Sequence, residues 1–224
     1  MSPRRRAIRS VLRFVASVLM TSGVMLLADA GLTLAWQEPV SAFLAAREQG
    51  ELEDELEDQA ELTARDKLSV ADIRDLRRRI RRLAQLQKAR TGNGDPIGKI
   101  KFRSRDYVVV QGDDTESLRK GPGHYPNTEW PGEGKTIGIA GHRTTYGAPF
   151  RTLDKLERGD EVILEMPYAR LTYRVEREQI VPPSATWVTR DTDYERLVLS
   201  ACHPLYSAAE RIVIFARLER AEPS

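Results

Sequence analysis

The chain has 224 residues, 35 Lys and Arg against 33 Asp and Glu, a formal net charge of +2 and 41% hydrophobic residues. Near-neutrality excludes a dedicated electrostatic footprint for nucleic acid, and a single cysteine excludes an internal disulfide, so neither an oxidising nor a reducing compartment is demanded. No metal-ligand spacing and no glycine-rich phosphate loop occurs, so neither a metal nor a cofactor is expected.

Arg4, Arg5, Arg6, Arg9 and Arg13 fall in residues 1–13, ahead of a largely apolar stretch over 14–36. That length matches the roughly 20 residues that span a hydrocarbon core, and the basic cluster holds 1–13 in the cytoplasm with the rest of the chain outside. The expected location is therefore the cell membrane, crossed once. Ala28, Asp29 and Ala30 also resemble the cleavage site of a signal peptide. Apolar residues continuing through Leu32, Leu34 and Trp36 favour a retained anchor. Asp29 at the centre of a span would cost roughly 2.5–3.5 kcal/mol, which puts it nearer the outer interface.

Residues 37–91 read as a charged helical stalk. An acidic block over 48–61 precedes a basic block over 74–82. Leu52 and Leu56, then Ile73, Leu76, Ile80 and Leu83, recur at spacings of three and four, the mark of a helix with a narrow apolar seam. The opposite charges allow a solvated spacer, a helical hairpin, or self-association through a second chain.

The breaker cluster Gly92, Asn93, Gly94, Asp95 and Pro96 opens the last segment, 92–224, which is long enough for one globular core. Strand candidates fall at 97–102, 107–110, 136–140, 161–165, 170–175, 178–181, 196–200 and 211–218. Their number and spacing predict a mainly β, closed or nearly closed β-barrel with short crossovers.

The chemistry concentrates near Cys202. A thiol needs a neighbouring histidine or cation to favour its thiolate, and acyl transfer needs a donor for the developing oxyanion. His142, which ends an apolar run, and Arg211, which opens the strand after the thiol, supply these roles together with Cys202. The bland reading of Cys202 is a buried core residue. His124 and His203 compete for the histidine role. His203 follows the thiol directly and so points to the opposite face of a strand, and His124 in its Gly-Pro-rich loop suits a turn cap or the lining of a groove. Arg143 competes with Arg211.

The run GHRTTYGAPF at 141–150, Leu153 through Gly159 and Asp160, and Cys202, His203 and Pro204 followed by SAAER at 207–211 resemble a sortase. Sortases are the cysteine transpeptidases that anchor proteins to Gram-positive cell walls, and the wording here is most similar to class E of actinobacteria. The resemblance covers the chain from about residue 95 onward. It implies an eight-stranded barrel with Cys202 as nucleophile, His142 as acid and base, and Arg211 as the arginine that steadies the oxyanion. It further implies a Leu-Ala-any-Thr-Gly or Leu-Pro-any-Thr-Gly sorting signal on secreted proteins, cut after Thr, and a peptidoglycan-precursor amine as acceptor. Tyr125, Thr144, Tyr146 and Ala201 are the expected substrate-binding residues. Ala201 replaces the threonine that many sortases carry before the cysteine.

Two other readings remain. In a cysteine peptidase or wall amidase, water accepts the acyl group, although papain-like enzymes place cysteine before histidine in the chain. In a membrane-tethered β-barrel binding module, Cys202 is structural.

Overall fold

The structure, a computed structural model, describes the backbone of residues 3–35 and 39–224 and the side chains of residues 10–31 and 41–224. It divides into two units, Met1–Pro39 and Val40–Ser224. The first is helix α1 (Pro3–Ala35). Its stretch Ser10–Gly31, 22 residues with hydropathy 1.9 and none of it buried, is long and apolar enough to cross a membrane, a test a signal sequence also passes. Trp36 and the side chains of Leu32 and Leu34 lie outside the described residues.

In the second unit, runs rich in Val, Ile and Leu alternate between two faces and close into a barrel. Its strands are β1 (Pro96–Phe102), β2 (Arg105–Gln111), β3 (Gly123–His124), β4 (Thr136–Ala140), β5 (Glu161–Met166), β6 (Ala169–Val181), β7 (Arg196–His203) and β8 (Glu210–Pro223). Around the barrel the order is β1-β2-β3-β4-β7-β8-β6-β5. β4 runs parallel to β7, and β8 is antiparallel to both β7 and β6. Ile100, Phe102, Ile137, Ile139, Leu164, Leu197, Leu199, Ile212 and Ile214 point inward to the main core. Eight strands were expected and eight occur, but not the same eight. The candidates at 170–175 and 178–181 are one strand, β6, with a register irregularity between Val175 and Arg177. The two-residue β3 was too short to register as a run.

Within 37–91 the described residues form two helices, and these do not stand free. Helix α2 (Pro39–Ser69) lays Leu52 and Leu56 against Val108 and Val110 of β2. The Gln49 carboxamide donates to the Val108 carbonyl at 3.1 Å and accepts from the Val108 N–H at 2.7 Å, pairing backbone groups that the short β3 leaves unmatched. Helix α3 (Leu76–Lys88), capped by Asp75, buries Ile80, Leu83 and Ala84 in the barrel's own core cluster. The two helices meet where Gln87 donates to Gln59 and Arg90 pairs with Asp66. The seam at spacings of three and four is thus a packing face onto the barrel. Helix α4 (Thr115–Lys120) covers the crossover from β2 to β3.

His124 on β3 is 1% exposed. Its ring nitrogens lie 2.8 Å from Gln111 Oε1 and 2.9 Å from the Glu129 carbonyl, so it ties down the turn that follows. Burial lowers its pKa to about 4. The folded state thus keeps this imidazole neutral while the unfolded chain binds a proton below 6.5, and stability is lost as pH falls from 6.5 through 4. The expected loss is roughly 3 kcal/mol. Urea midpoints at pH 7 and pH 4 check it, with His124→Gln losing most of the difference.

Candidate active site

Parallel pairing decides where the catalytic candidates meet. Ala140 of β4 pairs with Ser200 of β7, and the Gly141 N–H donates to the Ser200 carbonyl at 3.0 Å. Because the two strands run the same way they end at one rim, and His142 follows the last β4 rung by two residues, as Cys202 follows Ser200. Across β7, Cys202 pairs directly with Arg211 of β8, whose other neighbour is Val181 of β6. The structure therefore brings together the ends of the elements that carry His142, Cys202 and Arg211.

The pleat sorts the residues around the thiol. Ala201 is 4% exposed and belongs to the interior core, on the face opposite Cys202. The expectation that Ala201 lines the groove does not match this placement, and the hydroxyl missing there would have pointed into the barrel. Ser200 shares the outer face with Cys202, and its Oγ lies 2.6 Å from the Tyr125 hydroxyl. Sequence reasoning passed over Ser200, although the period of two places it beside the nucleophile.

The loop carrying His142 is bent by close contact. A Cβ on Gly141 would lie 2.6 Å from the Phe150 ring, so only glycine lets that ring approach. The Phe150 N–H then donates to the His142 carbonyl at 2.9 Å. Tyr146, Gly147 and Ala148 take φ values of 50°, 72° and 44°, a left-handed run that costs about 1–2 kcal/mol for each residue other than glycine. The Tyr146 ring sits 5.0 Å from the His142 ring, tilted by 48°, and the Tyr146 N–H donates to Ser41 Oγ of α2 at 3.3 Å. Thr144 is half-buried in the same loop. Burial lowers the pKa of His142, and its Nε2 is buried without a hydrogen-bond partner. The imidazole is thus neutral near pH 7 and able to accept a proton. No hydrogen bond joins Cys202 to His142 among the described residues; bonds of this kind commonly tighten only around a substrate.

Arg211 lines a cavity of about 240 Å³ with Tyr125, Ser200, Val213 and residues from the 181–189 segment, including Val181, Pro182 and Val188. Its Nη1 donates to the carbonyls of Ala208 and Glu210 at 3.0 and 2.9 Å, leaving Nε and Nη2 without a protein partner among the described residues. The Tyr125 ring lies over Gly138, where a Cβ would come within 2.3 Å of it. Burial raises the Tyr125 pKa, so the phenol stays protonated. His203, the rival beside the thiol, has Nδ1 3.2 Å from Arg143 Nη1. Larger cavities lie by Lys88 and Asp191 and along α3, and neither is lined by Arg211, Tyr125 or Ser200; Cys202 and His142 line none of these three cavities.

The profile of the Sortase domain family matches residues 97–219, more than half of the chain. The chain belongs to the sortase family. Sortase D of Bacillus subtilis (strain 168) is 32% identical over 134 residues, covering 58% of this chain and 66% of that protein. Sortase SrtE1 of Streptomyces coelicolor is 28% identical over 98 residues, 39% of this chain and 27% of that protein. The matches thus span less than two thirds of these relatives' lengths. Among solved structures, a Clostridium perfringens Sortase D5 transpeptidase superposes with TM-score 0.56 at 27% identity, covering 61% of this chain and 87% of the other. Sortase E from Streptomyces avermitilis superposes with TM-score 0.54 at 30% identity, covering 59% and 93%. The eight-stranded barrel expected of a sortase is the barrel found here.

Proposed function

We propose that this sortase is a membrane-anchored cysteine transpeptidase of the class E kind. It takes a Leu-Ala-any-Thr-Gly or Leu-Pro-any-Thr-Gly sorting signal on a secreted protein and passes the Thr carbonyl to a peptidoglycan-precursor amine. The observation that carries the reading is the register that sets Cys202 opposite Arg211, with His142 at the same rim on the parallel neighbour strand.

His142 takes the Cys202 thiol proton, the resulting thiolate attacks the Thr carbonyl, and Arg211 donates from Nε and Nη2 to the oxyanion of the tetrahedral intermediate. The Thr–Gly C–N bond then breaks, protonated His142 gives its proton to the departing amine, and a thioester to Thr remains. The acceptor amine attacks that thioester and loses its proton to His142. The C–S bond breaks, and the thiolate returns. The cavity beside Arg211, walled by Val181, Pro182, Val188 and Tyr125, receives the apolar side chains of the signal, and Thr144 and Tyr146 on the His142 loop contact its remainder. No cofactor enters any step. The helix α1 holds the catalytic domain on the outer face of the membrane. Exposed carboxylates on α2, among them Asp54, Glu55 and Asp58, and exposed Arg77, Arg78 and Arg82 on α3 offer complementary surfaces for self-association.

The full chain in detergent, incubated with both peptides and an amine nucleophile and analysed by mass spectrometry, tests the reading. The expected product is the amine joined to Thr. Hydrolysis alone would assign a peptidase or amidase, and no turnover with slow alkylation of Cys202 would assign a binding module.

A further inference from the structure

The most deeply buried charged side chain near the thiol has no part in the steps above. Arg143 follows His142 directly, yet its side chain is 3% exposed, whereas most of the chain's arginines are solvated. Its guanidinium touches three groups on two elements. Nη2 pairs with Asp154 Oδ1 at 3.1 Å, in the short turn Leu153–Lys155. Nη1 lies 3.4 Å from the Cys202 carbonyl and 3.2 Å from His203 Nδ1.

The strand ladder explains why a cation is held there. The rung from the Gly141 N–H to the Ser200 carbonyl would be followed, in a continuing parallel pair, by one from the N–H of residue 143 to the Cys202 carbonyl. The chain instead leaves the sheet after β4 so that His142 can face the rim, and the Cys202 carbonyl loses its backbone partner. The Arg143 side chain supplies the missing donor. Burying a guanidinium with a single carboxylate partner that is itself one-third exposed is costly, and Nε remains without a partner. Packing alone would be served as well by an apolar side chain of similar size.

We infer that Arg143 is a positioning residue that locks the His142 loop to the Cys202 strand and holds a positive charge behind the thiol, with Asp154 as its anchor. This rests on the transpeptidase reading for its catalytic consequence, but its effect on the thiol is measurable without any peptide. The titratable and charged groups around Cys202 are His142 and Arg143 from the loop, Tyr125 across the groove, His203 beside it, and Glu210 and Arg211 on β8. Among these, Arg143 is the buried permanent cation.

The test uses the full chain in detergent, in which Cys202 is the only thiol, with Arg143→Met, Arg143→Lys and Asp154→Asn. The first readout is the rate of alkylation by iodoacetamide at pH 7, and the second is kcat and KM for peptide ligation. In Arg143→Met the alkylation rate at pH 7 is expected to fall about threefold or more. Ligation kcat is expected to fall about 100-fold with KM within about threefold of the parent. Arg143→Lys restores the alkylation rate without restoring kcat, because an ammonium cannot reach both Asp154 and the Cys202 carbonyl. Asp154→Asn, at a partly exposed site, removes the anchor but keeps the cation, so ligation kcat falls by less than in Arg143→Met while the alkylation rate does not fall, and unchanged kcat there overturns the inference if Arg143→Met does not fold. Unchanged alkylation and kcat in Arg143→Met, or a loss seen only in KM, overturns the inference. A parent protein that ligates no peptide overturns the transpeptidase reading, and the alkylation rates still judge Arg143.

Discussion

Cys202→Ala is expected to eliminate the amine-ligated product, a fall of about 10⁶-fold in turnover for a lost nucleophile. No other group can substitute. Ser200 shares the outer face, but its hydroxyl is engaged with Tyr125 and lies two residues down the strand. Arg211→Ala is expected to lose less, about 10²- to 10³-fold, the range for one oxyanion donor. Arg143 cannot take over, because it sits behind the strand in an ion pair with Asp154. Mass spectrometry of peptide and amine mixtures over long incubations measures both. Near-normal ligation by Cys202→Ala would remove the transpeptidase assignment, and near-normal ligation by Arg211→Ala would move the oxyanion role elsewhere.

Cutting the chain back to 92–224, the boundary that composition alone suggests, is expected to yield a barrel that does not hold its fold. Leu52, Leu56, Val70, Ile80 and Leu83 are each at most 9% exposed, and Val70, Ile80 and Leu83 lie in the same cluster as the strand residues. At about 1.5–3 kcal/mol for each large side chain buried, their removal takes away roughly 10 kcal/mol of gross burial. A domain of this size is stable by only about 5–15 kcal/mol. The loss of Gln49 also strips Val108 of its partners, and the loss of Ser41 releases Tyr146 beside His142. Thermal unfolding followed by circular dichroism should show a midpoint lower by about 15 °C or more, or no cooperative transition. A fragment that melts like the full chain would show that α2 and α3 are appendages.

The strand ends that carry Cys202, His142 and Arg211 were legible because their signals are local: a histidine and an arginine at strand ends, a lone cysteine between apolar runs, and an unusual run of residues at 141–150. The helices were legible as helices but not as part of the barrel's packing. Leu52 and Leu56 form a stripe one turn long amid carboxylates, and only the facing Val108 and Val110 reveal what it covers. Strand β3 escaped because two residues carry no period, and β6 was divided because Glu176, Arg177 and Glu178 interrupt its apolar run at an irregular register. Ala201 was placed in the groove by adjacency to the thiol, where alternation along β7 points it inward. The role of Arg143 depends on which backbone rung the chain omits, a matter of topology that no spacing displays.

The three catalytic candidates sit at the ends of adjacent strands β4, β7 and β8, whereas the cavity beside them owes much of its wall to the connection between β6 and β7. Chemistry and recognition therefore occupy different kinds of backbone. The first is bound by the geometry of a closed sheet, in which shifting one member by a single register step would turn its side chain to the wrong face. The second belongs to a connecting segment that tolerates insertion and replacement. Such a division lets a lineage acquire new client proteins by redrafting one loop while the reactive centre stays unaltered.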